Sequence, residues 1–264
     1  MTWYTGDATY DTLLAIGLGF AALVGVAAWF VPSPYGRFSS GRFGLRTDPR
    51  LGWILMELPA TVTFVAVYFS GARWDEPARL LFLAVWLVHY ANRGFAFPLR
   101  MRVPKGQPGS FGAMVVGFGW FSTALHGYLN AAFIAGLAPH LAVAWLADPR
   151  FLVGIALYYA SYVMNIRSDG IVRDLRTADE VARGEKTYRV PQGGLFRYVT
   201  NASYLTELTA WLGFAIATWS LAGVFILALS AANLVPRAVA THRWYRERFP
   251  DYPAGRKVLI PFVW

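Results

Sequence analysis

Seven runs of about twenty mostly apolar residues recur along this chain, at approximately 12–31, 52–71, 77–96, 111–137, 142–166, 199–218 and 220–241. A helix of that length crosses roughly 30 Å of hydrocarbon, and helices and closed barrels are the structures that satisfy every backbone N–H and C=O inside a bilayer. The expected fold is therefore an all-α, polytopic integral membrane protein with seven transmembrane helices, forming a single membrane domain over residues 1–264. Only Thr218-Trp219-Ser220 separates the last two runs, which predicts a helical hairpin there. Composition agrees. The chain is 56 % hydrophobic and 15 % charged, whereas soluble domains carry roughly 25 % charged residues. Composition argues against a water-soluble enzyme, and the apolar content excludes a disordered chain. There is no cysteine, which removes disulfides, iron–sulfur clusters, thiolate zinc sites and a Cys nucleophile, and no metal is expected.

Charge orients the spans. Twenty-one of the 24 Lys and Arg residues fall in the 32–50 loop, at the end of the third run and the loop after it, in the 167–198 loop and in the C-terminal segment. Only Arg73, Arg79 and Arg150 belong to the other side. The positive-inside rule then places the N-terminus outside and the C-terminus in the cytosol. A bacterial cytoplasmic membrane and an endoplasmic reticulum membrane both satisfy this bias. The first run reads as a permanent span rather than a signal peptide, because residues 1–11 contain Asp7 and Asp11 and no basic residue. The formal net charge of +9 suits topology, contact with anionic membrane lipid, or a cytosol-facing pocket for a polyanion such as a dinucleotide. No nucleic-acid-binding motif accompanies it.

Ionisable groups inside a span cost at least about 2.5–3.5 kcal/mol near the bilayer centre, so each is a functional candidate. Glu57 is the one such group of the second run, two residues before Pro59. The third run holds His89, Tyr90, Asn92 and Arg93, the fourth His126, Tyr128 and Asn130, and the sixth Glu207 after Asn201, Ser203 and Tyr204. A buried phenol needs a partner, and Glu57 is the natural one for Tyr90. Asn165, Asp169, Arg173 and Arg176 stand at spacings of four, four and three, which predicts one stripe if the fifth helix continues into the cytosol. Such a stripe serves either as a solvated face or as a site for amide, ribose hydroxyls and phosphate. Pro191 and Gly193-Gly194 predict a tight turn before the sixth span. No GxGxxG or Walker sequence occurs, so a nucleotide site here is neither Rossmann nor P-loop. The aromatic and basic tail from His242 onward reads as an interfacial anchor or as a cap folded under the bundle.

Asn165-Ile-Arg-Ser-Asp169, Leu175-Arg176 and Tyr188-Arg-Val-Pro-Gln-Gly-Gly-Leu-Phe196 together resemble the signature of the steroid 5α-reductase family. So do Trp211-Leu-Gly-Phe, His242-Arg-Trp-Tyr245, Asp251-Tyr-Pro and Leu259-Ile-Pro-Phe. The likeness is strongest over 150–264 and extends upstream through Tyr35-Gly36, Glu57-Leu-Pro59, His89-Tyr90 and Arg93. It implies an integral membrane oxidoreductase that uses NADPH to reduce the 4,5 double bond of a 3-oxo-Δ4 steroid. It implies further that Glu57 and Tyr90 are the catalytic pair at the 3-keto oxygen. Cofactor-site positions carry over onto Arg93, Arg102, Asn165, Asp169, Arg176, Tyr188, Ser203, Glu207, Arg237 and Tyr245. Met56, Ser203 and Thr241 depart from family members, which carry Gln, Asn and His there.

This resemblance fits a mechanism in which negative charge growing on the carbonyl oxygen is stabilised by donors in a dry cavity, with Tyr90 oriented by Glu57. The cytosolic loops would hold the dinucleotide while the apolar substrate arrives from the lipid, and the chain is expected to act as a monomer. Three alternatives stay open. They are a related enone or enoyl reductase acting on a polyprenal, a trans-2-enoyl thioester or another sterol; a membrane methyltransferase; and a non-catalytic transporter or lipid-binding scaffold.

Overall fold

A computed structural model describes residues 4–31, 36–38, 45–106 and 111–264. Tyr35, noted in the sequence, and much of the 32–50 loop lie outside the described residues. Among those described, nine α-helices follow in order: α1 (Ala8–Phe30), α2 (Pro49–Ser70), α3 (Pro77–Tyr90), α4 (Phe97–Leu99), α5 (Ala113–Ala132), α6 (Pro149–Asp174), α7 (Ala178–Ala182), α8 (Ala202–Thr218) and α9 (Leu221–Arg248). π-Helical turns extend α3 over Ala91–Ala96 and α5 over Phe133–Leu137. Two short strands, β1 (Arg46–Thr47) and β2 (Phe111–Gly112), pair antiparallel.

The seven longest helices coincide with the seven apolar runs, with ends displaced where capping residues dictate. Asp48 and Asp148 cap α2 and α6 with Pro at the first helical position, where a missing N–H costs nothing. For that reason α6 starts at Pro149 rather than near 142. Val143–Ala147 forms a 3-10 turn instead. The hairpin between α8 and α9 is present: Trp219 takes the left-handed conformation at φ 48°, and the Ser220 side chain accepts from Gly223 N at 2.9 Å. Four stretches, Ala8–Phe30, Pro49–Ser70, Pro77–Leu99 and Leu221–Arg248, are long and apolar enough to cross a membrane. The helices α5, α6 and α8 are more polar or shorter. Of these, α8 has 17 residues, and α6 carries Arg167, Asp169, Arg173 and Asp174 in its last third.

The bundle pairs α6 with α8, α2 with α5, and α1 with α9. Phe82, Trp86 and Tyr90 of α3 are buried in the apolar core, with ring contacts to Phe64 of α2, His126 of α5, Phe151 of α6, and Trp211 and Phe214 of α8. Small residues let backbones approach, as they do in membrane bundles. A Cβ on Gly213 would sit 2.6 Å from Tyr158 N, and one on Gly154 would sit 2.6 Å from Gly213 O. On α5, a Cβ on Gly127 would meet Ala60 O of α2 at 3.1 Å, and Gly119 leaves room for Met56. Pro59 leaves the carbonyl four residues back, Leu55 O, without its helical partner. The Trp120 indole of α5 donates to that carbonyl, and Thr123 Oγ1 donates to Met56 O at 3.0 Å. The opened ladder of α2 is thus closed by α5, next to Glu57.

The tail is a cap under the bundle. Thr200 N donates to Lys257 O and Lys257 N to Tyr198 O, both at 2.8 Å, beside a parallel bridge between Val199 and Lys257. Asn201 Nδ2 reaches Ala238 O at 3.0 Å and Val258 O at 2.9 Å.

The tight α6–α8 seam predicts that Gly213→Ala destabilises by about 1–3 kcal/mol through overpacking, lowering the thermal unfolding midpoint. Gly19→Ala brings the same gain in helix propensity at a position with nothing within 4 Å of the new Cβ, and is expected to leave the midpoint level or higher. Equal behaviour of the two variants would refute the seam.

Candidate active site

At the end of the bundle where α3, α6 and α9 finish and α2 and α8 begin, a cavity of about 480 Å³ opens. Its walls hold nine cationic residues, Arg46, Arg93, Arg100, Arg102, Arg173, Arg176, Lys186, Arg189 and Arg237, against two acidic ones, Asp169 and Glu207. All nine cations come from the loops and helix ends that the sequence groups on one side. The first residues of α8 also line the cavity, and a helix N-terminus adds partial positive charge.

Nine of the ten residues carried over as cofactor contacts line this cavity: Arg93, Arg102, Asp169, Arg176, Tyr188, Ser203, Glu207, Arg237 and Tyr245. Asn165 does not. It is buried between helices, and its Nδ2 donates to Ser203 O at 2.9 Å and Thr206 Oγ1 at 3.2 Å. One turn too deep in α6 to reach the opening, it clamps α6 to α8 and so places Ser203. The expected stripe is also shorter than its spacing implies. α6 ends at Asp174, so Arg176 stands past the helix, where its Nε donates to Thr187 O at 3.1 Å and its Nη1 to Arg102 O at 3.2 Å. Arg102 returns a bond to Arg176 O and pairs with Asp174 at 3.0 Å. The two arginines brace the loops, with Arg176 also lying over the Tyr188 ring at 5.4 Å.

Arg237 of α9 donates from Nε to Tyr204 Oη at 3.0 Å and stacks over Phe38 at 5.0 Å. Gly193 (φ 84°) and Gly194 (φ 50°) form the expected tight turn, a conformation that glycine adopts without steric cost. Arg256 of the tail bonds Pro191 O at 3.1 Å and Gln192 Oε1 at 3.2 Å, pinning that turn beside the cavity.

Glu57 and Tyr90 lie deeper and are not part of the cavity wall. Both are buried. Arg93 connects the two levels. Its Nε is 4.0 Å from Glu57 Oε1 and its Nη1 is 3.9 Å from Asp169 Oδ2. The guanidinium also lies over Trp53 at 4.5 Å and Phe97 at 5.1 Å, while the Trp53 indole donates to Arg93 O at 3.0 Å. The π turn begins at Ala91, and a π turn shifts the residues after it relative to a regular helix. His89 and Arg93, four residues apart, take different partners. His89 Nδ1 meets Tyr158 Oη at 3.0 Å and its Nε2 lies 3.6 Å from Glu207, which accepts from the Trp211 indole at 2.9 Å. Tyr90 departs from expectation in its partner. Its Oη is 2.7 Å from His126 Nε2 of α5, rather than bonded to Glu57, because the Glu57 carboxylate is drawn toward Arg93.

Two buried polar atoms at the cavity make no direct hydrogen bond to the described residues: Asp169 Oδ2, an acceptor that faces Arg93 Nη1 at 3.9 Å, and Ser203 Oγ, donor and acceptor. With the surrounding guanidinium groups they make a set suited to a ligand carrying phosphates, hydroxyls and an amide. The sequence marks His126 only as a polar residue of its span, without a role. It gives no signal for Trp53, or for Thr200, a cavity residue tied to His242 Nδ1 at 2.5 Å and Tyr252 Oη at 2.6 Å. No local pattern marks these residues, since each meets its partner across a long sequence separation.

The segment from Lys186 to Arg189 that walls the cavity is fastened by the Arg189–Glu180 pair (2.5 and 2.9 Å) to the capping box of α7, where Thr177 N donates to Glu180 at 2.8 Å. The Arg189 guanidinium and the Thr177 amide hold the Glu180 carboxyl at about 2, below its ordinary 4.5. A depressed carboxyl contributes stability that is present above its ordinary value and lost as pH falls toward the depressed one. Amide-exchange protection over 177–189 should exceed that of Glu180→Gln at pH 6, and the two should converge as pH approaches 2. A constant difference across that range would exclude the pair as the fastening.

Comparison with known proteins follows the same outline. Residues 111–264 match the family described as 3-oxo-5-alpha-steroid 4-dehydrogenase. The chain is 39 % identical over 248 residues to 3-oxo-5-alpha-steroid 4-dehydrogenase 1 of Rattus norvegicus, covering 93 % of this chain and 91 % of that one. It is 36 % identical over 257 residues to the Bos taurus protein of the same name, with 96 % of each chain covered. It is 32 % identical over 237 residues to steroid 5-alpha-reductase DET2 of Solanum lycopersicum, with 89 % of each covered. Identity at this level along nearly the whole chain, on a bundle whose basic cavity gathers the residues the motifs single out, makes this protein a member of the 3-oxo-5-alpha-steroid 4-dehydrogenase family, an oxidoreductase.

Proposed function

We propose that this chain reduces the 4,5 double bond of 3-oxo-Δ4 steroids to 5α-steroids with NADPH, by hydride transfer to C5, while Glu57 and Tyr90 act on the 3-keto oxygen. The observation that carries this reading is the basic cavity that meets, through Arg93, the buried acid Glu57. Bound in that cavity, NADPH supplies the hydride.

The protein's own residues do the rest. Arg102, Arg176, Arg237 and their neighbours neutralise phosphate charge, including a 2′-phosphate, while Asp169 and Ser203 offer hydrogen-bonding capacity to amide and hydroxyl groups. Asn165 contributes by holding Ser203 in place. Tyr90 donates a hydrogen bond to the keto oxygen, where charge grows as C5 accepts hydride. A preorganised donor of that kind contributes about 2.7–4 kcal/mol in a water-excluded site. Glu57 is the second group at that oxygen, and Arg93 sets the charge it presents. The apolar core around Phe82, Trp86, Trp211 and Phe214 keeps water away.

The wider reading follows the charge pattern. Seven spans place the N-terminus outside and the C-terminus in the cytosol, the cofactor arrives from the cytosol, and the steroid arrives from the lipid. The chain acts as a monomeric, single membrane domain in a bacterial cytoplasmic or endoplasmic reticulum membrane.

Purified protein incubated with NADPH and a 3-oxo-Δ4 steroid should yield a product heavier by two hydrogens. Thermal stabilisation by NADPH and none by S-adenosylmethionine is expected; the reverse would favour a methyltransferase, and neither would favour a scaffold. Turnover of a polyprenal or enoyl thioester but of no steroid would move the substrate class within the same superfamily. Tyr90→Phe and Glu57→Gln should each cut turnover at least about tenfold while keeping NADPH stabilisation, because each alters a group that acts as charge develops. Unimpaired turnover in both variants would remove the mechanism.

A further inference from the structure

The hydroxyl of Tyr90 makes a hydrogen bond that the chemistry above leaves unused. His126 Nε2 lies 2.7 Å from Tyr90 Oη, and His126 Nδ1 is buried with no partner. The imidazole is fixed by its surroundings. It meets Trp86 edge to face at 5.7 Å and 71°. The His126 carbonyl accepts from Asn130 Nδ2 at 2.9 Å, and Asn130 also donates to Ala222 O of α9 at 3.3 Å.

A neutral imidazole carries one N–H and one lone pair. With the proton on Nδ1, a buried donor is stranded, and the phenol must direct its own proton at Nε2. With the proton on Nε2, the imidazole donates to the phenolic oxygen, and the stranded atom is a lone pair. The phenol proton then stays available for a substrate oxygen. Hydrogen bonds in a chain polarise one another, so an N–H directed into the phenolic oxygen makes the O–H a stronger donor as charge grows beyond it.

We infer that His126, in its Nε2–H form, is a positioning residue that aims the Tyr90 hydroxyl and strengthens it as a donor. The inference rests on the reading of Tyr90 as the donor to the keto oxygen. No proton leaves the imidazole in this role.

The test uses the full chain with NADPH and progesterone as probes. H126F keeps a ring without a donor, and H126Q restores an N–H at the reach of Nε2. H126F should lower kcat about tenfold, with KM and the NADPH Kd within about twofold of wild type. H126Q should recover to within about threefold of wild type. In a Y90F background, H126F should cost nothing more, since His126 acts through the phenol. Nitrogen-15 spectra of histidine-labelled protein, with the signal assigned by its loss in H126Q, should show the Nε2–H tautomer. A normal kcat in H126F, no recovery in H126Q, a loss that adds to that of Y90F, or the Nδ1–H tautomer would each overturn the inference. Should H126F fail to fold, as judged by lost NADPH stabilisation, H126Q and the tautomer decide alone. Full turnover in Y90F would overturn the reading of Tyr90 and this inference with it, whereas an impaired Y90F beside a normal H126F overturns the inference only.

Discussion

The site depends on one guanidinium held between two carboxylates at the inner end of the bundle. Arg93 faces Glu57 of α2 at 4.0 Å and Asp169 of α6 at 3.9 Å, with its flat face against Trp53 and Phe97. Breaking a buried ion pair on one side leaves the other charge uncompensated, typically at a cost of about 3–5 kcal/mol. The three helices are thus committed to one relative placement. Arg93 sits in the π turn over Ala91–Ala96 at the end of α3.

Around that ion cluster the molecule sorts polarity by depth. The inner bundle is aromatic and apolar, with polar side chains paired across helices, as Trp86 to Ala60 O, His89 to Tyr158 and His126 to Tyr90, or within one, as Trp211 to Glu207. Toward the cavity, arginines dominate, and their geometry is set by backbone carbonyls as much as by acids. Arg102 and Arg176 exchange bonds with each other's main chain, and Arg256 holds Pro191 O. Directional bonds to carbonyls fix guanidinium positions without neutralising their charge, which for Arg102 is met by Asp174 at 3.0 Å. The tail completes this wall by bonding to residues 198–201, so the last residues of the chain shape the cavity rather than trail from it.

Much of this was legible in the residues themselves. Apolar run length located all seven long helices, Thr218-Trp219-Ser220 marked the hairpin, and the motif positions around Asp169, Tyr188 and Tyr245 fell on the cavity wall. Helix ends were misjudged where a cap overrode hydropathy, as at Asp148-Pro149. Asn165 shared its spacing with Asp169 yet faced a neighbouring helix, because periodicity gives a stripe and not what the stripe meets. The phenol of Tyr90 was matched to the wrong helix for the same reason.

The amino-acid order by itself determined which segments form the long helices and which segments carry the cations, because both are sums over local composition. It also carried the family motifs. Only the tertiary structure decided that Arg93 joins Glu57 to Asp169, that His126 meets Tyr90, and that Arg256 pins the Gly193-Gly194 turn. Those contacts link residues 36 to 76 positions apart, and their geometry follows from how helices pack, which no local pattern encodes.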